Sequence, residues 1–512
     1  MSMPINFLCS GYYKNPTSFK GSERSATSLN NDKSSIFYIN DFHGKSINIE
    51  RTVAASNAFD SNVQPNTDVL KLSSGDIQLG EPVNPNRVMV EAQNVMGIMA
   101  SAMGNHEYDT PEHIKELIPH MGYKLLACNI NVKPENPLYD KVQKSYIQEV
   151  NGTKYGIIGV TPVDLFSRIK HGKIFDELKV DDIDQTIVDI QKEADNLKKQ
   201  GVNRIILLSH VGFAYDQRIA RETNGIDIIL GGHSHELITD VKYGVNLFNS
   251  KSGEPVVITQ AGRDGRYFGV LNVDWNKNGI INKIQNNVTS TRGFKRNPIV
   301  RNWFESIVGK PKVVGVINSA PPPLIHDSIE PSGHANFMCD CIKEDLDTDV
   351  VLFGSATIRG YFEAGKLDTR WLEDISPFKN KMVIANYTEK EIVDALKVSA
   401  NSLVSLNNKP GLVHVAGLKY TVSKDGDLMS VSFVDKSGKE TPIDIKNPRT
   451  DKFYKTALTD YYCQGHDGFT MLKKYDEAQK FDFDVTKCIE DYFKRHSEPV
   501  DIKDDGRIKI VA

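Results

Sequence analysis

Five short segments carry, in order, side chains that hold hard divalent cations: NDFHG at 40–44, SSGDIQLG at 73–80, GNHEYD at 104–109, LLSHVGF at 207–213 and GGHSHE at 231–236. Together they offer Asp41, His43, Asp76, Asn105, His210, His233 and His235, a mixture of oxygen and imidazole ligands that suits Mn, Zn, Fe or Mg. Seven groups serve two ions if Asp76 is shared. Two ions ~3.5–4 Å apart clamp a phosphoryl group and stabilise both its attacking and its departing oxygen. His106 is left over beside Asn105, with Asp109 three residues on to orient it. A histidine held in that way stabilises a transferring group or protonates a leaving oxygen.

Each segment alone has a duller reading. The chain has thirteen histidines, GNHE by itself is a polar turn, and GGHSH by itself is a flexible loop. The signal is joint: five segments in one order, most of them directly after an apolar run.

Those runs are the elements that must position the ligands. SIFYIND, DVLKLSSGD, KLLACN, YGIIGVT, RIILLSH and IDIILGGH predict buried strands, with motif residues at their C-terminal ends, where α/β folds place ligands. The one-residue separation of Asp41 from His43, repeated in His233 and His235, predicts pairs sharing one face at the end of an extended segment. Asn151-Gly152 predicts a hairpin turn. Ile183, Ile187, Ile190, Ala194 and Leu197 recur at helical spacing, with Gly201 as C-cap. VVITQAG and GVLNVDW complete this first domain.

The expected organisation is a mobile leader at 1–33, a catalytic domain at 34–296, a connecting segment with a helix at 297–314, a second domain at 315–495 and a tail at 496–512. In the second domain DVVLFGS predicts a strand, EKEIVDALKVSANSL an amphipathic helix, and LKYTVSKDGDLMSVSFVD a hairpin around Asp425-Gly426.

Composition narrows the partners. At 512 residues the chain is too long for one ordinary core. Its 39% hydrophobic and 25% charged content is that of a soluble globular protein. A net charge of −4 gives no general attraction to nucleic acid polymers or acidic membranes, so a small molecule is the expected partner. No apolar stretch reaches transmembrane length, and the N-terminus lacks a basic region followed by an apolar one. Six scattered cysteines, with only Cys339 and Cys341 close together, predict reduced thiols and a cytoplasmic location.

The ordered motif set resembles the calcineurin-like metallophosphoesterase superfamily, and within it the two-domain 5'-nucleotidase branch. The resemblance implies an α/β protein: an N-terminal metallophosphoesterase β-sandwich flanked by helices, then a C-terminal α+β substrate-recognition domain of 5'-nucleotidase type. It implies one metal site from Asp41, His43, Asp76 and His235, a second from Asp76, Asn105, His210 and His233, and a catalytic dyad of His106 and Asp109.

ATIRGYFEAGKL, ISPFKNKMVIANYTEKEI and KTALTDYYCQGHDGFTML extend the resemblance to about residue 480. They imply a nucleoside pocket of Arg359, Phe378, Tyr461 and Asp467, with the two aromatics sandwiching a base and the carboxylate accepting from ribose hydroxyls. The match is imperfect. GSATIR has Ser355, Ala356 and Thr357 where glycines are common, Tyr461 replaces a usual phenylalanine, and His466 interrupts the familiar GGDG.

The implied activity is two-metal hydrolysis releasing phosphate from nucleotides, foremost nucleoside 5'-monophosphates. Alternatives sharing that machinery are 2',3'-cyclic-nucleotide 2'-phosphodiesterase with 3'-nucleotidase activity and nucleotide-sugar hydrolysis. A different class is a non-catalytic nucleotide-binding protein.

Overall fold

The computed structural model describes residues 17–18, 32–80, 83–169, 173–322, 329–377, 380–405 and 410–511. Two compact units divide the chain, 1–310 and 311–512.

The first unit is built on two sheets. One has eight strands, with Lys33–Ile39, Asp68–Ser73, Ala100–Ala102 and Lys124–Leu126 running parallel at its centre. The other has six, with Thr153–Val160, Arg204–Ser209, Ile228–Leu230 and Pro255–Thr259 parallel. Strand alternation sorts their side chains into separate cores. From the first strand, Ile36 and Tyr38 join Leu70, Leu72, Ile206 and Leu208 in one buried cluster, while Phe37 and Ile39 join another with Val53 and Val88 from two helices. On the second sheet Ile205 and Leu207 pack instead with Ile187, Ile190, Ala194 and Leu197. The result is a β-sandwich with helices on its outer faces.

The predicted strands and helix lie where the hydrophobic pattern puts them. The helix runs Ile183–Lys199, capped by Asp182, whose carboxylate accepts from the Gln185 N–H, and Gly201 follows at φ 78°. Asn151 and Gly152, both at positive φ, close the hairpin between Ser145–Val150 and Thr153–Val160.

Two expectations are corrected. The helix Pro298–Val308, read as part of a connecting segment, is packed: Val300 and Phe304 are buried with Val88 and Phe268 in a core of the first unit. The expected tail at 496–512 supplies two strands. Val500–Asp501 pairs with Val313–Ser319, and Ile508–Val511 runs parallel to Leu418–Ser423. The periodicity of so short a segment as RIKIVA does not reveal that its partner lies 88 residues upstream. The expected leader at 1–33 lies almost wholly outside the described residues; Lys33 already opens the first core strand.

The second unit is α+β. Its five-stranded sheet centres on Val350–Gly354, Phe453–Thr459 and Met382–Thr388, covered by helices Gly333–Leu346 and Val485–Arg495 on one core and Glu389–Asn401 on another. Helix 389–401 begins in a full capping box, with Thr388 and Glu391 satisfying each other's backbone N–H groups. The predicted hairpin is Leu418–Ser423 with Leu428–Val434.

Candidate metal centre

The ligand loops all leave the C-terminal ends of parallel strands. Asp41 and His43 follow Lys33–Ile39, Asp76 follows Asp68–Ser73, Asn105 follows Ala100–Ala102, His210 follows Arg204–Ser209, and His233 and His235 follow Ile228–Leu230. Loops from both sheets meet at one end of the sandwich.

All seven predicted ligands come together there. Asp41, His43 and His235 place one ligand atom each within 4.8 Å of one another, as do Asp76, His210 and His233. Asp76 Oδ2 lies 3.1 Å from His210 Nε2 and 3.6 Å from His43 Nε2, so one carboxylate faces both groups. Asp41 Oδ1 lies 3.4 Å from His235 Nε2 and 3.9 Å from His43 Nε2. Asn105 Oδ1 is 3.0 Å from His233 Nδ1.

The pairs do not converge by strand alternation, as the spacing suggested. Asp41, His43, Asp76, His233 and His235 all sit beyond their strands at left-handed φ between 50° and 72°. They are half of the ten non-glycine residues with positive φ in the described chain. Each such conformation costs on the order of 1–3 kcal/mol, so backbone strain is concentrated at this cluster. Neighbouring glycines permit the approach: a Cβ on Gly104 would lie 2.1 Å from Asp76 Oδ1, and one on Gly232 would lie 2.7 Å from His210 Nδ1.

Glu107 escaped the sequence reading. It is buried, and its carboxylate accepts from the backbone N–H of Asp76 (2.9 Å), Ile77 (2.9 Å) and Gly104 (2.8 Å). One side chain thus ties the loop carrying Asp76 to the loop carrying Asn105. The signal was present in GNHE, but a glutamate in a polar turn reads as exposed.

His106 and Asp109 are paired as predicted from their spacing. His106 Nδ1 is 2.8 Å from Asp109 Oδ2, and its Nε2 points to the cluster, 4.0 Å from Asp76 Oδ2. Asp109 also accepts from the Gly80 N–H at 2.6 Å, and Asp76 Oδ1 accepts from the His106 N–H at 2.8 Å.

Burial opposes charge throughout the site, and at Asp76, His210 and His106 opposite charges overcome it. His210 and His106 hold Asp76 well below the usual carboxylate range. In turn, against burial, Asp76 and Asp41 push His210 up to about 10, and Asp76 with Asp109 push His106 up to about 9. His233 is pulled down to about 4 by burial and by the charge of His210. The cluster fits divalent cations. Its donors are imidazoles, carboxylates and an amide, and the fully buried His210 Nε2 makes no hydrogen bond among the described residues while facing Asp76.

The predicted substrate residues belong to the second unit. Tyr461 lies in the short helix Asp460–Cys463; its hydroxyl donates to Asp467 Oδ1 at 3.1 Å. One face of its ring is stacked on His466, with centroids 4.5 Å apart and planes at 25°. The histidine that breaks the GGDG pattern therefore covers one face of the expected stacking aromatic. Arg359 is half-buried, its N–H donating to the Ile375 carbonyl at 2.7 Å. Phe378 lies outside the described residues.

A two-sheet sandwich with carboxylates and imidazoles gathered at its strand ends is the framework of a metal-dependent phosphoesterase. Residues 34–237 match the family model for calcineurin-like phosphoesterases, and residues 313–474 match that for the 5'-nucleotidase C-terminal domain. The chain belongs to the 5'-nucleotidase family, a group of phosphoric ester hydrolases whose calcineurin-like domain generally uses divalent metals.

Among its relatives, the 5'-nucleotidase of Bos taurus is 26% identical over 81% of this chain and 77% of its own length. The trifunctional nucleotide phosphoesterase YfkN of Bacillus subtilis is 22% identical over 93% of this chain, which spans only 35% of that protein. The 5'-nucleotidase precursor of Thermus thermophilus superposes with a TM-score of 0.67 at 21% identity, covering 94% of this chain and 99% of the other. Among the described residues no helix is long and apolar enough to cross a membrane, and Cys128, Cys339, Cys341, Cys463 and Cys488 are free and buried.

Proposed function

We propose that this chain is a dinuclear phosphohydrolase that releases phosphate from nucleotides, with nucleoside 5'-monophosphates as its principal substrates. The observation that carries the reading is the position of Asp76, whose carboxylate faces ligand groups on both sides. One cation would be held by Asp41, His43, Asp76 and His235, the other by Asp76, Asn105, His210 and His233. Bound there, two cations supply Lewis acidity toward the phosphoryl oxygens and a nucleophile at neutral pH.

The protein's own contribution follows from its geometry. His106 turns Nε2 toward the site while Asp109 accepts from Nδ1, so Nε2 is aimed at the transferring group. When the bond between phosphorus and the ribose oxygen breaks, His106 donates its Nε2 proton to the departing oxygen or a hydrogen bond to the phosphoryl oxygens. Asp109 keeps the ring in place by accepting from Nδ1. In this reading Tyr461 packs against the base, and Asp467 offers an acceptor to the ribose.

The broader relative named a trifunctional nucleotide phosphoesterase supports a second reading, in which the same centre also opens 2',3'-cyclic nucleotides or removes 3'-phosphates. Nucleotide-sugar hydrolysis shares the machinery. The five thiols among the described residues, all free, support a reducing, cytoplasmic setting. Purified protein supplied with Mn, Zn, Fe or Mg is assayed against 5'-, 3'- and cyclic nucleotides and nucleotide sugars. The highest kcat/KM is expected on a 5'-monophosphate. A preference for cyclic substrates replaces the first reading with the second, and binding without turnover under every metal overturns both.

A further inference from the structure

Three imidazoles of the cluster turn one nitrogen toward the other candidate ligands and the other outward. His210 Nδ1 meets the Ser74 carbonyl at 2.5 Å, His233 Nε2 lies 3.6 Å from Asp164 Oδ1, and His43 Nδ1 lies 3.1 Å from Asp264 Oδ1. Only the last outward partner is a buried carboxylate at hydrogen-bonding distance. Asp164 is 39% exposed, whereas Asp264 is 3% exposed.

Asp264 is held from several directions. Its N–H donates to the Asp41 carbonyl at 2.6 Å, and its own carbonyl accepts from Asn48 Nδ2 at 2.7 Å. Asn40 stitches the same loop to the Asp41 loop by accepting from the Ala261 N–H and donating to the Gly262 carbonyl. The second carboxylate oxygen of Asp264 lies 3.5 Å from Arg263 Nε and 3.4 Å from Arg266 Nη2. Two guanidinium groups thus offset the charge that burial would otherwise penalise. The residue sits at φ 58°, a conformation that aspartate and asparagine tolerate better than most side chains. No ligand motif includes it.

We propose that Asp264 is the positioning residue for His43. Neutral imidazole has one donor nitrogen and one acceptor nitrogen. By accepting from Nδ1–H, Asp264 fixes the tautomer whose Nε2 lone pair faces Asp41 and Asp76, and it holds the ring plane in that direction. A carboxylate behind a ligating histidine also raises the basicity of the ligating nitrogen. Because its N–H holds the Asp41 carbonyl, Asp264 links two ligands of the first group, one through the backbone and one through the side chain.

This inference rests on the dinuclear reading, and the two fail separately. Ion stoichiometry in the unaltered protein tests the centre; the ratio of ion affinities between that protein and Asp264 variants tests the positioning role. Titration of metal-free full-length protein with Mn²⁺, followed by calorimetry, is the measurement. Asp264→Ala is expected to weaken binding of one ion by ~10–100-fold while sparing the other. Asp264→Asn keeps the shape and an acceptor, so its loss is smaller, and the melting temperature of its metal-free form stays near that of the parent. In a His43→Asn background, Asp264→Asn is expected to cost no further affinity. Unchanged ion affinity in both single variants overturns the proposal, as does an equal loss in the presence and absence of His43.

Discussion

Two loops of this chain look alike as text. GGHSHE at 231–236 and GHDG at 465–468 both place histidine among glycines, and both contain residues at left-handed φ, His233 and His235 in one and Asp467 in the other. Their surroundings differ. Around the first, four other loops converge, so its imidazoles face Asp41, Asp76 and Asn105. In the second, His466 and Asp467 are exposed, and their side chains meet their near neighbours Tyr461 and Gln464. Composition and a kinked backbone are therefore insufficient for a metal centre. What separates the two is convergence of loops distant in sequence, which a sandwich delivers at the ends of parallel strands.

The strongest attack on that contrast is removal of Asp76, the carboxylate that faces both groups. Asp76→Asn is expected to lower ion stoichiometry and to reduce kcat/KM by about 10³-fold or more, since several kcal/mol of transition-state charge stabilisation depends on the ions. Full occupancy with normal turnover would end the bridging assignment. Next comes His106→Ala, expected to reduce kcat by ~10²–10⁴-fold with both ions retained. Asp109→Asn should lose less, because it misorients the imidazole without removing it. Loss of metal in parallel with activity would make His106 a ligand.

Glu107→Gln probes the loop-to-loop tie directly. An amide N–H₂ then faces a backbone N–H that had an acceptor, costing ~1–3 kcal/mol of stability in denaturant unfolding, with weaker ion binding alongside. Unaltered stability and ion affinity would mean that the loops converge without it.

The second unit predicts a different pattern. Tyr461→Ala removes one stacking face, worth ~1–3 kcal/mol, so KM for a nucleotide rises about 5–150-fold. Hydrolysis of a small generic phosphoester stays unchanged, and Asp467→Ala shows the same selectivity toward ribose. Equal losses on both substrates would make these residues structural.

The smallest effect is one of pH on protein kept in chelator. His106 and His210 have folded pKa values raised above 6.5, to about 9 and about 10. Their protonated forms therefore stabilise the fold fully below about pH 6.5, and that contribution fades as the pH rises through 9 to 10. Thermal melting between pH 6.5 and 10 should decline accordingly, and a rise would mean that the imidazole–carboxylate pairs contribute nothing to the metal-free fold.

Much of the centre was legible because its chemistry constrains residue type. Only a few side chains ligate hard cations, and most of these lie just after an apolar run that marks a strand, so Asp41, His43, Asp76, Asn105, His210, His233 and His235 could be named as candidate ligands from local text. The His106–Asp109 pair was legible too, since three residues span one tight turn. The second unit was less legible: a stacking tyrosine and a core tyrosine are the same letter, and Tyr461 and Tyr462 differ only in which side of the short helix faces the core.

By itself the sequence determined the apolar strands that lead into most of the motif loops, the helix Ile183–Lys199 and which side chains could carry ligand chemistry, because these depend on periodicity and residue type over a few positions. Tertiary structure decided the rest. It set the left-handed turns, rather than strand alternation, that aim Asp41 with His43 and His233 with His235. It brought Glu107 beneath the Asp76 loop and Asp264 behind His43 across 221 residues of chain. It drew the segment 500–511 into two sheets. Those outcomes depend on which distant backbone groups need partners once the core is packed, and that need arises only when the chain is folded around them.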